Sequence, residues 1–173
     1  MNTGPPALAN NCFVAPRAGV VHAGCRVDVC RRAFVGWRGA SRLHAELALD
    51  ALEMAIWARG PDLPDLVHHS DRGVQYLAIK YTERLAEADA VSSVGPRGDS
   101  YDNALAETVN GLCKAELINR HGPWRTVEQV ELATANWVHF WNTRRLHGAC
   151  GDIPPAEFEA AYHSRLQEAT AAA

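Results

Sequence analysis

The stretch HHSDRGVQY, residues 68–76, decides how this chain is read. It follows a short, partly apolar run at residues 63–67 that has the look of a strand leaving a sheet, and it turns at Gly73. Asp71 therefore stands where a buried strand opens into a glycine turn. In α/β sheets, such strand ends are where functional groups converge. Gly73 supplies a permissive backbone angle, and Arg72 either meets phosphate or caps the turn. His68 and His69 are metal-ligand types, but packing or hydrogen bonding at the strand end accounts for them more simply.

Toward the N-terminus, residues 8–14, 20–29 and 33–37 read as three closely spaced strands, which favours antiparallel hairpins. Leu43, Leu47, Leu49, Ala51, Met54, Ala55 and Ala58 then recur at roughly helical spacing until Gly60-Pro61. Beyond the 63–67 strand the pattern predicts a helix at 77–89, a strand at 90–94 and a loop at 95–99. A helix follows, capped by Ser100 or Asp102, with Leu105, Val109 and Leu112 on its apolar side. The last long helix spans 126–141, where Thr126-x-x-Gln129 forms a capping box. After Pro154-Pro155 comes a short helix at 156–167 and an alanine-rich end expected to fray. Strands and helices in this order predict an α/β fold, a mixed sheet with helices on both faces. The expected organisation is a disordered N-terminus at 1–7, one core domain at 8–148, and a C-terminal extension at 149–173.

Composition fits that organisation. A chain of 173 residues that is 47% hydrophobic can bury one ordinary core, and it carries no apolar run long enough for a membrane helix. The first residues lack a basic region followed by an apolar run, so the expected compartment is the cytoplasm. Five cysteines, at 12, 25, 30, 113 and 150, form no paired framework and are read as reduced thiols. His22, Cys25 and Cys30 lack the second ligand pair that a zinc site needs. No glycine-rich nucleotide loop is present, so no small-molecule substrate is expected. The net charge of −3 hides local basic clusters at Arg26, Arg31, Arg32, Arg38 and Arg42, and again at Arg144, Arg145 and His147.

A second acid, Glu107, lies in the first turns of the helix after the loop, with 35 residues between it and Asp71. One carboxylate at a strand end and another on a helix face can meet across a cleft and bind a divalent cation through oxygen. The alternative is that Asp71 caps its turn and Glu107 faces water. Spacing alone leaves both open.

Three stretches bear on that choice: HHSDRGVQY, then GDSYDNALAETVNGLCKAELI at 98–118, then HFWNTRRLHGACGDIPPAEF at 139–158. Together they resemble the catalytic core of bacterial insertion-sequence transposases, the retroviral-integrase-like group with a ribonuclease H-like fold and a D, D, 35, E signature. The resemblance runs from about Leu8 to Tyr162. It implies that Asp71 and Glu107 are catalytic metal ligands for Mg2+ or Mn2+, in a two-ion site acting on DNA in transposition and integration. It also implies DNA at transposon ends and target as the partner, and a possible homo-oligomer.

The first acid of the signature aligns with Asn10, in Leu8-Ala9-Asn10-Asn11-Cys12-Phe13-Val14. Asparagine keeps an acceptor oxygen but no charge, and its amide nitrogen cannot ligate a cation. The site is therefore expected to be weakened, with Asp28 the nearby acid available to compensate. The chain also begins close to the first core strand, so the upstream DNA-end-binding region usual in that family is expected to be missing. DNA-contact candidates are Arg72, Asn103, Asn110, Lys114, Arg144 and Arg145, with Trp141 read as core. The second strand carries His22, Gly24, Arg26 and Asp28 on one face, which predicts that this face is wet or the strand degenerate. The expectation is an impaired strand-transfer core; the alternative is a non-catalytic remnant that binds DNA or associates with intact transposase.

Overall fold

A computed structural model describes residues 7–15, 21–40, 45–59, 67–69, 79–93 and 100–171. Five strands, β1 (Ala7–Ala15), β2 (Val21–Asp28), β3 (Phe34–Ala40), β4 (Val67–His69) and β5 (Val91–Ser93), form one sheet in the order β3-β2-β1-β4-β5. The first three are antiparallel neighbours, whereas β4 runs parallel to β1 and β5 parallel to β4. The short links among the first three strands suit hairpins, and the longer helical excursions before β4 and β5 supply the crossovers that parallel pairing demands.

Among the described residues, six α-helices accompany the sheet. They are α1 (Ala45–Arg59), α2 (Ile79–Glu87), α3 (Ser100–Leu112), the single turn α4 (Asn119–His121), α5 (Val127–Thr143) and α6 (Pro155–Ala171). A π-helical segment, Cys113–Ile118, joins α3 to α4 without a break. Alternation along β2 divides the helices between the two faces. Ala23, Cys25 and Val27 enter a core with Val109, Cys113, Leu117, Val130 and Trp137, from α3, the π segment and α5. Gly24 and Arg26 meet α1 instead.

The approach of α1 explains two glycines. A Cβ on Gly36 would lie 2.1 Å from the carbonyl oxygen of Ala51, and one on Gly24 would lie 3.3 Å from that of Leu47. The strands thus give way where the alanine side of α1, with Ala48, Ala51 and Ala55 all buried, comes down on them.

That contact overturns the expectation for the polar face of β2. Arg26 and Asp28 are 0% and 1% exposed, so the face is neither wet nor degenerate. The Arg26 guanidinium donates to the Cys25 carbonyl at 3.0 Å, the Ala48 carbonyl at 2.8 Å and the Tyr81 hydroxyl at 2.9 Å, and lies 5.7 Å from the Tyr81 ring centroid. The charge is buried with its two terminal nitrogens donating to acceptors on β2, α1 and α2, which offsets much of the cost of taking it out of water.

The C-terminal half closes the core. Phe34 meets Trp137 and Trp141 edge-on, with centroids 5.3 Å apart in both pairs. The Asn142 side chain accepts from the Phe34 amide at 2.9 Å and donates to the Phe34 carbonyl at 2.8 Å, standing in for a neighbouring strand. The Thr126 hydroxyl caps α5 by accepting from the Gln129 amide at 3.3 Å. The Gln129 side chain returns to the Arg125 amide at 3.0 Å, one residue earlier than a standard capping box places it. The alanine-rich end departs from expectation: α6 stays helical through Ala171, beginning at Pro155, where a missing N–H costs nothing. Past residue 148 the chain remains attached to the core through buried Cys150 and the His147–Ile153 bridge. No helix among the described residues is long and apolar enough to cross a membrane.

Candidate metal centre

β1 is the central strand, and among the described residues its parallel ladder with β4 pairs Ala7 with Val67, Leu8 with His68 and Ala9 with His69. Asn10 is the next residue of β1, and in the sequence Asp71 follows His69 by two. On its other side Asn10 is paired with Arg26 of β2. In open α/β sheets the carboxyl ends of the strands are the usual place for a ligand.

Helix α3, which carries Glu107, packs against β1. Glu107 is exposed. Asn110, three residues on, is half-buried, and its side-chain oxygen is enclosed with no hydrogen-bond partner among the described residues. Residues three apart on a helix are neighbours, so this oxygen is an acceptor beside the Glu107 carboxylate. Asp71 and Arg72 lie outside the described residues, as does the side chain of Asn103.

Asp28 is buried at the end of β2. Its register partner is Leu8, and its carboxylate accepts from the amides of Cys30 at 2.9 Å and Arg31 at 3.0 Å, closing the turn after β2. An Arg31 nitrogen lies 3.7 Å from its other oxygen.

The remaining candidates separate by environment. Lys114 and Arg144 are exposed. Arg145 is tied into the structure, donating to both oxygens of Glu116 at 2.8 and 2.7 Å and lying 4.8 Å from the Trp141 ring centroid. Trp137 donates to Glu116 at 3.0 Å, and Trp141 donates to the Arg32 carbonyl at 2.7 Å. Trp141 is core, as its sequence context predicts.

Glu116 was not singled out by the sequence reading. Burial opposes its charge, but the hydrogen bonds from Arg145 and Trp137, with the charges of Arg145 and Arg120, outweigh it and hold the carboxyl below its ordinary range. His147 moves down as well, because it is desolvated and has arginines nearby, against a hydrogen bond that favours its charged form.

Integrase core domain models match residues 12–100 and 90–155. The chain belongs to the integrase core domain family. It is 50% identical over 177 residues to a putative transposase for insertion sequence element IS986/IS6110 of Mycobacterium tuberculosis, covering 97% of this chain and 64% of that protein. It is 46% identical over 159 residues to the transposase for insertion sequence element IS629 of Shigella sonnei, covering 92% and 53%. The chain thus spans between about half and two-thirds of the length of these curated relatives.

Among solved structures, the HTLV-2 integrase catalytic core domain in complex with magnesium superposes with a TM-score of 0.67 at 14% identity, covering 91% of this chain and 99% of that one. An integrase chain of a simian T-cell lymphotropic virus intasome gives 0.71 at 14% identity, covering 88% and 53%. The fold of this integrase core is ribonuclease H-like.

The donor chemistry suits a hard cation. Carboxylate, amide carbonyl and water oxygens are the ligands that magnesium and manganese select. In the sequence Asp71 and Glu107 are carboxylates of that kind, and Asn10, the register partner of Arg26, is a neutral amide.

Proposed function

We propose that this integrase core carries out DNA strand transfer in transposition, with Asp71 and Glu107 holding Mg2+ or Mn2+, and that Asn10 leaves the reaction impaired. The observation that carries the reading is the position of Asn10. It follows the β1 residue that pairs with His69, which precedes Asp71 by two in the sequence, and it stands on the strand against which the Glu107 helix packs. A divalent ion here would supply an activated water or hydroxyl and neutralise charge on the phosphodiester.

The chain's own groups do the rest. Asp71 and Glu107 fix the position of the ion, and the enclosed Asn110 oxygen accepts from a water beside it. Exposed Lys114 and Arg144, with Arg72, hold the DNA backbone, positioning the strand without reading its sequence. Transposon-end and target DNA are the partners, and assembly into a homo-oligomer would bring two ends together. Asn10 also favours a second reading, a non-catalytic remnant that binds DNA or associates with intact transposase, because a neutral ligand weakens any bridging between two ions.

Nicking of a supercoiled plasmid in Mg2+ and Mn2+ tests the proposal on the parent, Asn10→Asp and Glu107→Gln. The parent is expected to nick slowly, Asn10→Asp faster by about 10² to 10⁴, in line with restoring one electrostatic element of a site. Glu107→Gln is expected to be silent. Silence from all three would leave the remnant reading.

A further inference from the structure

A cleft of about 770 Å3 lies between α5 and the π segment that continues into α4. Sites for small ligands occupy about 300–1,000 Å3. Phe140 of α5 lines the cleft and is 44% exposed, an aromatic surface that the core leaves uncovered. Trp124 and Trp137 line it too, and each is pinned by its indole N–H, donating to the Ile118 carbonyl at 3.3 Å and to Glu116 at 3.0 Å. The ring surfaces are therefore preformed.

Arg120, Arg145 and Glu116 complete the lining, so two guanidiniums meet one carboxylate. Arg145 is committed to Glu116, which leaves exposed Arg120 as the cation for an incoming anion. Glu116 in turn has acceptor capacity left. Its Oε1 accepts from Arg145 and its Oε2 from Arg145 and Trp137, whereas a carboxylate offers about four acceptor sites. With 31% of its side chain exposed, it presents that capacity to the cleft.

These groups ask for a flat ring, an anion and a hydrogen-bond donor on one ligand. An acidic aromatic peptide supplies the first two, but its carboxylates are repelled by Glu116. A nucleotide supplies all three: a base face for Phe140, a phosphate for Arg120 and, in cytosine or adenine, an exocyclic amine for the carboxylate. The base must be unpaired, because in a duplex its faces are covered by its neighbours. We propose that this cleft binds one unpaired, amine-bearing nucleotide of a DNA strand, with the base on Phe140, the amine at Glu116 and the phosphate at Arg120. The inference rests on DNA as the partner and draws on none of the residues assigned to the metal centre.

The test is fluorescence anisotropy of labelled short single strands of oligo(dC) and oligo(dT), and of a duplex, with the full chain in EDTA. Folding of each variant is checked by circular dichroism melts. Phe140→Ala is expected to weaken oligo(dC) binding by about five- to 150-fold, the range for losing one stacked base, and duplex binding by less than about twofold. Arg120→Gln is expected to lower the salt slope for oligo(dC) by about 0.7, one phosphate contact on a single strand. Oligo(dC) is expected to bind at least about twofold tighter than oligo(dT), and Glu116→Gln to erase that preference. If Phe140→Ala melts below the assay temperature, Phe140→Leu makes the same comparison, keeping bulk without a ring face. Equal losses for single strand and duplex, or none for either, overturn the cleft as a nucleotide site while leaving DNA as the partner. Equal binding of oligo(dC) and oligo(dT) by the parent overturns the assignment of Glu116. A peptide of alternating glutamate and phenylalanine that binds tighter than oligo(dC), and loses binding in Phe140→Ala, overturns the choice of ligand. Binding of no DNA at all overturns the DNA reading itself.

Discussion

Replacing Glu116 with glutamine keeps the shape of the side chain and an oxygen for Trp137, but removes the charge that Arg145 holds through both carboxylate oxygens. Hydrogen bonds to charged groups contribute about 1.5–3 kcal/mol each in net terms. Here the Arg145 and Glu116 side chains are 25% and 31% exposed, so solvent screens part of that. About 1–2 kcal/mol is the expected loss, which for a domain of this size lowers the melting temperature by roughly 2–8 °C. Arg145 stays over Trp141, so the aromatic cluster itself should survive.

A double-mutant cycle with Arg145→Met isolates the pair, with thermal and denaturant unfolding as the assays and an expected coupling of about 1–2 kcal/mol. The pH dependence has a definite sign. The folded carboxyl sits below its ordinary value of 4.5, so its contribution is complete above the unfolded pKa and is lost as pH falls through the folded one. The difference between parent and Glu116→Gln should be constant from neutral pH to about pH 5 and shrink below that. Effects additive to within about 0.3 kcal/mol, or a difference that grows on acidification, would refute the pairing as a source of stability.

Gly36→Ala should destabilise by at least about 3 kcal/mol, because its Cβ would be driven to 2.1 Å from a helix backbone oxygen that cannot move alone; denaturant midpoints measure it. Asn142→Ala strands both polar groups of Phe34 at the sheet edge and should cost about 2–3 kcal/mol, read by the same unfolding curves. Cys113, whose thiol burial and the nearby Glu116 charge push up to about 12, should resist a thiol reagent at pH 8 in the folded protein and react once it is unfolded.

What the sequence made legible, and what it did not, follows from how far apart the partners are. Strands, helices and their order could be read because each depends on local period and punctuation. The three antiparallel strands and the Thr126 cap are each decided within a few residues. The helix at the alanine-rich end went the other way for a local reason too: alanine is the best helix former, and nothing between Pro155 and Ala171 interrupts it. The family could be read because motifs as long as those at 68–76, 98–118 and 139–158 are specific in sequence.

Arg26 and Glu116 could not be read that way. An arginine in a strand looks like a wet face until α1 and α2 deliver an acceptor from each side, one 22 and one 55 residues away. Glu116 looks like a solvated helix acid until the π segment carries it to Arg145, 29 residues on. In both cases a charge that appears to face water is enclosed by a partner that only the tertiary fold supplies, and the sequence states the cost of burial without stating what offsets it.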